Sequence, residues 1–574
     1  METRGRSKLR KASGSAVRRS SWTPAATMRS SSRDARQPSD IETTQNLRNS
    51  SEHVKDALIS LARNIDANDK SASYKLQRFE LVEHEQSVSW YAKAESAASP
   101  AELEANRIVM KIREHERRDP DLFGNLASEP VPDARSRDVG GRFLKNRDRI
   151  ENSKIFSISH AMPKGAHQHL HFNSEIPPEV LFPHARSREM QDTMFIRSTL
   201  PLTSSEAFWD CEIVFSVFPK ETTSADIFSP SYDPNVKDTN NCPWMLWRKF
   251  RNAFPAEIAP SGPGKLDAPE RWAREKMIIT VDQAYGEGQT HNGIWACFNQ
   301  CTRAFKGLLG YEGVYRWYIG HAIDSMIQDK VMYAELRPML LDKSIPPNDG
   351  LRKIGLKEQM SIICEEVIKK RRELEARNEL DKFPFSLKII YCTPRSIPLA
   401  RMRTELEDCI ALKVQFPDLI CGFDLVGAED RPNNVRFYAD LLLAFQQTCK
   451  ELRIEIPFMF HAGETLIDTG GSSDPENSNL YDALLLHAKR IGHGYALLKH
   501  PQLVEKYKQK NICLELCPIS NELLHLCGNA REHPCPQLLA AGLHCTLNAD
   551  NPSLFRYVYQ LSFPAIQHAA GSAY

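Results

Sequence analysis

Three histidines alternate along one short stretch of the chain, as His167, His169 and His171 in MPKGAHQHLHFN. In an extended segment, side chains two residues apart point to the same face. Imidazoles crowded on one face of a strand are poor core material and good metal ligands. The spacing therefore predicts a metal site at this strand, and further ligands have to come from elsewhere in the sequence.

Four more candidate residues lie at the ends of short apolar runs much later in the chain. They are His461 and Glu464 in FHAGE, His493 in IGHG and Asp550 in LNADN. Three imidazoles and one carboxylate from separate strands suit a zinc ion that keeps a position open for water. One acid and one histidine are then left over for proton transfer. These residue types predict a hydrolytic metal site.

The apolar runs that carry these residues recur after residue 150. The sequence contains eight such runs, namely SISHAMPKGAHQHLH, VMYAELRP, LKIIYCTPR, LICGFDLVGAED, IPFMFHAGET, KRIGHGYA, ICLELCPISN and LHCTLNADN. From Gly427 to Asp550 their ends are about 30 residues apart, the length of one strand-plus-helix unit. Segments between them, such as LYDALLLHAK, have helical periodicity. Eight buried strands alternating with helices predict an α/β fold, a (β/α)8 TIM-type barrel with its active site at the strand ends.

The rest of the chain divides into further segments. Residues 1–40 are a basic Ser/Arg-rich stretch in which we expect a disordered tail, with an organelle-targeting segment as the alternative. Residues 41–150 are predicted to be helical, and Ser99 and Glu102 form a capping-box pattern there. Residues 151–574 are assigned to the barrel, with a large insertion at roughly 175–290, after the first strand.

Composition excludes several classes of protein. The chain has 74 Lys and Arg against 73 Asp and Glu, so its formal charge of +1 does not favour nucleic acid as a partner. No apolar run approaches the roughly 20 residues that span a bilayer. The 14 cysteines are scattered without a CxxC pair, and we expect mostly buried thiols. A cytoplasmic location is expected because no secretory signal is evident, with secretion as the alternative.

Six of these blocks resemble one known family. MPKGAHQHLH, GFDLVGAED, FHAGET, RIGHGYAL, CPISN and LNADNP occur in the order found in the adenosine deaminases, and most closely in their adenosine deaminase-related growth factor branch. The resemblance covers roughly residues 100–555. It implies zinc-dependent hydrolytic deamination of adenosine or 2′-deoxyadenosine to inosine and ammonia, with one zinc ion per chain. A homodimer through the N-terminal helices is a further expectation.

The resemblance also implies a role for each candidate residue. His169, His171, His461 and Asp550 would hold zinc. Glu464 would protonate N1 of the purine, and His493 would orient and deprotonate the attacking water. The Gly427 backbone would meet the ring, and Trp295 would wall the ribose pocket. His167 is expected to be an extra histidine away from the metal.

Three departures from the family pattern leave the substrate open. Asn551 stands where relatives often have a second aspartate that meets purine N7, although an amide can still donate a hydrogen bond. Pro394 and Phe172 replace polar residues that some relatives place near the ribose. Two alternatives therefore remain, namely a deaminase of a related purine or nucleotide, and a catalytically weak, growth-factor-like binding protein.

The end of the sequence raises one further expectation. Only residues 551–574 follow Asp550, and Pro564 interrupts the one short helical pattern among them. A barrel of this type needs a helix after its eighth strand. We therefore expect the last barrel helix to be short or missing, with apolar surface exposed near the seam of the first and last strands and a loss of stability.

Overall fold

The computed structural model describes residues 39–66, 69–123, 142–236, 242–262, 264–429, 433–465, 478–529 and 532–556. The chain divides into two compact units, residues 1–87 and 88–574. The first unit contains two long helices, α1 (Ser39–Asp66) and α2 (Asp69–Val88), the second of which reaches the boundary. Large apolar side chains such as Leu58 and Phe79 are exposed on these helices. The predicted tail lies outside the described residues except for the start of α1.

Among the described residues of the second unit, four helices precede the barrel. They are α3 (Trp90–Ala97), α4 (Pro100–Glu116), α5 (Phe143–Glu151) and α6 (Lys154–Ala161). The capping box predicted at the start of α4 is confirmed. The Ser99 hydroxyl accepts from the backbone N–H of Glu102 at 3.3 Å, and the Glu102 carboxylate accepts from the backbone N–H of Ser99 at 2.7 Å. Two N–H groups that the helix itself cannot pair are thereby satisfied.

The barrel predicted from the eight apolar runs is confirmed. Its strands are β1 (Gly165–His171), β2 (Val331–Arg337), β3 (Leu387–Pro394), β4 (Ile420–Val426), β5 (His461–Ala462), β6 (Arg490–His493), β7 (Cys513–Leu516) and β8 (Cys545–Leu547). They pair in parallel as β1–β2–β3–β4 and as β5–β6–β7–β8. Parallel bridges from Phe423 to Phe458 and from Leu170 to Asp550 join the two halves on both sides. The result is a closed (β/α)8-type barrel.

The fifth strand is shorter than its apolar run suggests. Only His461 and Ala462 pair regularly, although the residues before them also bond to neighbouring strands. Met459 donates its backbone N–H to the Phe423 carbonyl at 3.0 Å, and Gly492 donates to the Phe460 carbonyl at 2.8 Å. The run is thus held in place along its length, with His461 at its carboxyl end.

Residues 172–330 lie between β1 and β2 and contain the segment, roughly 175–290, that is predicted as an insertion. An antiparallel sheet in this region has the strand order Ile213–Val217, Met194–Ser198, Met245–Leu246. The helices are α7 (Phe182–Ala185), α8 (Ser205–Asp210), α9 (Trp247–Ala253), α10 (Ala268–Glu275), α11 (Val281–Tyr285), α12 (His291–Leu309) and α13 (Glu312–Gln328). Thr290 caps α12 by accepting from the backbone N–H of Gly293 at 3.0 Å. This helix carries Trp295 to the barrel mouth.

Helices follow each of the strands β2 to β7. They are α14 (Leu356–Ala376), α15 (Leu399–Gln415), α16 (Ala439–Leu452), α17 (Asn479–Leu485), α18 (Pro501–Gln509), α19 (Pro518–Leu523) and α20 (Cys535–Ala540), the last two both between β7 and β8. A short antiparallel pair, Ser344–Ile345 with Ile354–Gly355, lies ahead of α14. In the described chain no helix is both long and apolar enough to cross a bilayer.

The seam between β8 and β1 is closed by backbone hydrogen bonds. His171 donates to the Asp550 carbonyl at 3.0 Å, and Asp550 donates to the His169 carbonyl at 3.1 Å. The turn that follows is buried at Leu554 and Phe555, whereas β8 itself is only half-buried. The predicted absence of a closing helix concerns residues 557–574, which lie outside the described residues.

Candidate active site

The barrel brings the sequence-predicted ligands together at the carboxyl ends of its strands. His169 and His171 are the fifth and seventh residues of β1, His461 begins β5, and Asp550 lies three residues after β8. The ligating atoms of His169, His171 and Asp550 lie within 4.8 Å of one another, and so do those of His169, His461 and His493. His169 belongs to both groups, so the two form one cluster.

The spacing within the cluster matches that of ligands around a metal ion. The Asp550 Oδ1 atom lies 3.2 Å from Nε2 of His171 and 3.6 Å from Nε2 of His169. Two ligand atoms, each about 2.0–2.1 Å from a tetrahedral ion, are about 3.4 Å apart. Asp550 also has a positive φ of 62°, a conformation that is rare for aspartate and typical of functional sites.

Buried carboxylates fix the orientation of two of the imidazoles. Nδ1 of His169 lies 2.9 Å from Oε2 of Glu515, and Nδ1 of His461 lies 2.8 Å from Oδ2 of Asp424. Each Nδ1 therefore donates to its carboxylate, which leaves Nε2 as the free ligand atom. Nε2 of His169 is buried and has no hydrogen-bond partner among the described residues. The donor set and this unpaired nitrogen fit a bound metal ion.

Arg337 joins the two carboxylates beneath the site. Its Nε donates to Asp424 at 2.8 Å, and its Nη2 donates to Glu515 at 2.6 Å. Burial opposes ionisation of Glu515, but Arg337 and Arg490 hold its pKa well below the usual range. The pKa of Asp424 is likewise lowered, because His461 and Arg337 outweigh the effect of burial. Both carboxylates are therefore charged acceptors for the imidazoles.

The net pKa shifts of the buried histidines differ in direction. Burial lowers the pKa of His461 to about 4 and that of His493 well below its ordinary value, so both rings are neutral near pH 7. Burial also acts to lower the pKa of His169, but Asp550 and Glu515 outweigh it and raise this pKa. Two carboxylates around one imidazole make a site that favours positive charge. A divalent cation at this position supplies such charge.

The proton-transfer candidates lie beside the cluster. Glu464 is buried in the loop after β5, where Glu429 accepts from the backbone N–H groups of Gly463 at 2.9 Å and Glu464 at 2.8 Å. These two bonds hold the FHAGE loop in one conformation. Oε1 of Glu464 is 3.6 Å from Nε2 of His493, so the acid and the histidine predicted from the sequence are neighbours.

A cavity of about 260 Å³ opens directly onto the cluster. The residues predicted for the site that line it are His171, His461, Asp550, Glu464, His493, Gly427, Trp295 and Asn551. Gly427 has a φ of 99°, a conformation that glycine adopts without strain. All the residues predicted for the site except His169 therefore line one cavity, which could hold a small molecule.

The departures from the family pattern have structural counterparts. Asn551 donates from Nδ2 to Oδ1 of Asp550 at 2.7 Å and accepts from the Ser174 hydroxyl at 2.9 Å. An amide nitrogen has two hydrogens, so one remains for the cavity. Phe172 is buried, with its ring 5.1 Å from that of Tyr315 and 5.4 Å from that of Tyr318. Its side chain contributes to the core rather than to hydrogen bonding.

His167 belongs to the barrel seam and to neither ligand group. Its Nε2 accepts from the backbone N–H of Ala549 at 3.2 Å, which ties β1 to the residues after β8. Burial lowers the pKa of this histidine to about 3, as a neutral acceptor requires. The alternation of three histidines thus serves two purposes, since one closes the barrel and two face the cluster.

Sequence reasoning missed the residues that support the site. These are Asp424, Glu515, Arg337, Glu429 and Asn521. One signal was available, because Asp424 and Glu515 are charged residues inside apolar strands, and a charge buried there has to be paired. The identity of each partner could not be read from the sequence, because the partners lie on strands far apart in the chain.

A closed parallel barrel with a histidine–aspartate cluster at its mouth is typical of metal-dependent hydrolases. The family model described as "Adenosine deaminase" matches residues 289–571. An adenosine deaminase of Phlebotomus duboscqi is 31% identical over 415 residues, which are 72% of this chain and 69% of that protein. Adenosine deaminase 2 of Sus scrofa is 29% identical over 415 residues, 72% of this chain and 71% of that protein.

The chain belongs to the adenosine deaminase family. The resemblance inferred from the six sequence blocks is thereby confirmed. Among solved structures, an adenine deaminase from Arthrobacter aurescens is similar with a TM-score of 0.43 and 17% identity. The match covers 71% of this chain and 92% of that one.

Proposed function

We propose that the protein catalyses the hydrolytic deamination of adenosine or 2′-deoxyadenosine to inosine and ammonia. The observation that carries the proposal is the arrangement of His169, His171, His461 and Asp550 beside Glu464 and His493 over one cavity. A binding protein without turnover would need neither the buried acid nor the supporting carboxylates. The family to which the chain belongs indicates which reaction this arrangement of residues catalyses.

The ligands that would hold the metal are His169, His171, His461 and Asp550, and we assign one zinc ion per chain. The donor set fits zinc, because neutral imidazole nitrogens and a carboxylate oxygen are its usual ligands. When bound, zinc lowers the pKa of a water molecule to about 7 and so supplies a nucleophile at neutral pH. Ser520 supports the set by donating to Oδ2 of Asp550 at 2.6 Å.

Glu464 and His493 are assigned to the reacting atoms. Attack at C6 pushes electrons onto N1 of the purine, and a protonated Glu464 delivers the proton that N1 then takes. Glu464 is buried, lines the cavity and lies beside His493, so it is placed to make this transfer. His493, on the neighbouring strand, contacts the attacking water through Nε2. Gly427, Trp295 and Asn551 are assigned to substrate binding, at the ring, the ribose and N7 respectively.

Charge at the outer part of the cavity favours a nucleoside over a nucleotide. Arg303 and Lys306 line the cavity and are partly exposed, whereas Arg337, which also lines it, is buried and paired with Asp424 and Glu515. Arg303 pairs with Glu212, and Lys306 donates to Asp342 at 2.6 Å. Each of these two cations thus already has a carboxylate partner. A deaminase of nucleotides remains the alternative, and adenosine 5′-monophosphate is the substrate that tests it.

Two further assignments concern the whole protein. We propose a homodimer through the N-terminal helices, since Leu58, Phe79 and other apolar side chains of α1 and α2 are exposed within their unit. We also propose a cytoplasmic location, because the 14 cysteines are free thiols, as a reducing compartment requires. Light scattering of the purified protein and fractionation of cells that produce it would test these two proposals.

A substrate comparison tests the proposed reaction. The purified protein is incubated with adenosine, 2′-deoxyadenosine, adenine and adenosine 5′-monophosphate, and ammonia and the purine product are measured for each. We expect inosine and 2′-deoxyinosine with equal amounts of ammonia, and little conversion of the nucleotide. Preferential conversion of the nucleotide would favour the alternative substrate. No conversion of any of the four by the zinc-loaded protein would contradict the assignment.

A further inference from the structure

A chain of buried hydrogen bonds runs from the backbone of α20 to the rear of the His493 ring. The backbone N–H of Cys535 donates to Nδ1 of His533 at 3.0 Å. Nε2 of His533 lies 3.0 Å from Oδ1 of Asn521, and Nδ2 of Asn521 lies 3.3 Å from Nδ1 of His493. The side chains of His493, Asn521 and His533 are at most 2% exposed, so bulk water offers them no other partner.

The donor and the acceptor of each hydrogen bond in this series follow from the bond between Cys535 and His533. A backbone N–H can only donate, so Nδ1 of His533 accepts. Burial lowers the pKa of His533 to about 3, so the ring is neutral near pH 7 and carries its hydrogen on Nε2. That hydrogen is donated to Oδ1 of Asn521, which turns the NH₂ group of the amide towards His493. Nδ1 of His493 must then accept.

A neutral imidazole whose Nδ1 accepts carries its only hydrogen on Nε2. In His493 this is the nitrogen on the reacting side, 3.6 Å from Oε1 of Glu464, and the ring lines the cavity. Nε2 has no hydrogen-bond partner among the described residues. The hydrogen bonds at the rear of the ring therefore leave a free donor, and no lone pair, facing the substrate.

We propose that His493 acts as a hydrogen-bond donor to the attacking oxygen, and that Asn521 and His533 are positioning residues that fix the tautomer required for this role. The inference rests on the proposed deamination and narrows it. The family resemblance implies that His493 removes a proton from the attacking water. Because Nε2 already carries a hydrogen, the ring could take a second proton only on Nδ1. That proton would break the hydrogen bond that Nδ1 accepts from Asn521.

The protons of the reaction balance without a base at His493. One proton of the attacking water leaves to solvent before attack, and the remaining hydroxide oxygen bonds to C6 while Glu464 gives its proton to N1. The proton of the resulting C6 hydroxyl then passes to the amino group as the C6–N bond breaks, so that ammonia leaves and inosine keeps its N1 hydrogen. Glu464 regains a proton from solvent. Nε2–H of His493 donates to the hydroxide oxygen before attack, and to the same oxygen when negative charge develops on it as its proton passes to the amino group.

Nitrogen NMR measures the tautomer directly and needs no substitution. The zinc-loaded protein is labelled with ¹⁵N-histidine, and the His493 signals are assigned from the spectrum of His493→Gln. We expect Nδ1 to give the signal of an unprotonated ring nitrogen and Nε2 that of a protonated one. A hydrogen on Nδ1 with an unprotonated Nε2 would overturn the inference, and this outcome does not depend on any activity.

The substitution Asn521→Asp is expected to reverse the tautomer of His493 and to keep the other hydrogen bonds of the series. In Asn521→Asp, one carboxylate oxygen still accepts from His533, but the other accepts from His493 and draws the hydrogen to Nδ1. We expect the reversed ¹⁵N pattern, an unchanged zinc content and a fall in kcat of about 10²–10³, the usual cost of losing one such donor. An active variant, within about tenfold of the wild-type kcat and with reversed signals, would show that His493 works as an acceptor and would refute the proposal.

The variant His493→Ala serves as a control for the negative charge that Asn521→Asp adds. If Asn521→Asp acts through His493, it lowers kcat in the wild-type background and changes it by less than about threefold in the His493→Ala background. Equal losses in both backgrounds would show that the charge acts elsewhere, and the positioning role would then be wrong. If the wild-type protein fails to deaminate adenosine, the proposed function fails, and the ¹⁵N spectrum still decides the tautomer.

Discussion

At the scale of single residues, three imidazoles of the site have Nδ1 hydrogen-bonded to a buried side chain. Glu515 holds Nδ1 of His169, Asp424 holds Nδ1 of His461, and Asn521 occupies Nδ1 of His493. The first two partners are acceptors and leave a lone pair on Nε2, whereas the third is a donor and leaves a hydrogen there. In the proposed assignment, His169 and His461 are therefore ligands and His493 is a donor, because the partner of Nδ1 differs between the rings.

The assignment of Glu464 is tested by Glu464→Gln. The amide has the same size and keeps the hydrogen-bonded loop, but it cannot deliver a proton to N1. We expect zinc content to remain at the wild-type level and kcat to fall by about 10²–10⁴. Metal analysis and steady-state kinetics measure the two quantities. A kcat within about tenfold of wild type would mean that another group protonates the ring.

The assignment of Asn551 is tested by Asn551→Asp. The variant restores the residue that relatives often have at this position and replaces the amide hydrogen available to purine N7. We expect the preference for adenosine over 7-deazaadenosine, measured as a ratio of kcat/KM, to differ between the two proteins by more than threefold. Identical ratios would show that Asn551 does not face N7.

At the scale of secondary-structure elements, the site depends on a charge network inside the barrel. Arg337 at the end of β2 contacts Asp424 of β4 and Glu515 of β7, and Arg490 of β6 donates to Glu515 at 2.7 Å and contacts Glu335 of β2. Four strands are thereby linked, of which only β6 and β7 are neighbours in the sheet. The network sets where the two carboxylates stand and therefore how the ligand rings are turned.

Arg337→Met is expected to lower zinc affinity although no ligand is changed. It leaves Asp424 and Glu515 as adjacent buried charges, and loss of such support around metal ligands costs about 10–100-fold in affinity. Competition with a chelator measures the zinc dissociation constant. Arg403→Met is the matched control, since Arg403 forms an exposed ion pair with Glu407 on α15. Equal zinc affinity in both variants would contradict the role of the network.

Most of the barrel could be predicted because buried parallel strands are apolar on both faces and end at polar residues. That rule located all eight strands and the ends at which His461, His493 and Asp550 lie. It overestimated β5, where only two residues pair regularly. It could not identify Asn521 as a partner of His493, because an asparagine near a helix start is equally typical of a cap. Side-chain partners between distant strands depend on the closed fold.

At the scale of the whole molecule, burial of neutral histidines makes stability depend on pH. The pKa of His533 is lowered to about 3 in the folded chain, against about 6.5 when unfolded. Between these values the unfolded chain binds a proton that the folded chain does not, so unfolding becomes easier as the pH falls. The stabilisation is complete above about pH 6.5 and is lost towards pH 3.

His533→Gln is expected to reduce this dependence on acid. Glutamine can still donate to Asn521, but it does not titrate. We expect the urea midpoint to fall less between pH 7 and pH 4.5 in the variant than in the wild type, whatever the midpoints are at pH 7. His167 and His461, whose pKa values are also lowered, are the same in both proteins. Parallel losses in the two proteins would show that His533 does not contribute.

The central claim is that one metal centre, built from β1, β5 and the residue Asp550 after β8, is the site of adenosine deamination. The most direct measurement is zinc content together with the rate of inosine formation in the wild type and in His169→Ala and Asp550→Ala. We predict about one zinc ion per wild-type chain, with deaminase activity, and the loss of most of the zinc and nearly all activity in both variants. Full zinc occupancy in either variant, or deamination that persists without zinc, would contradict the account.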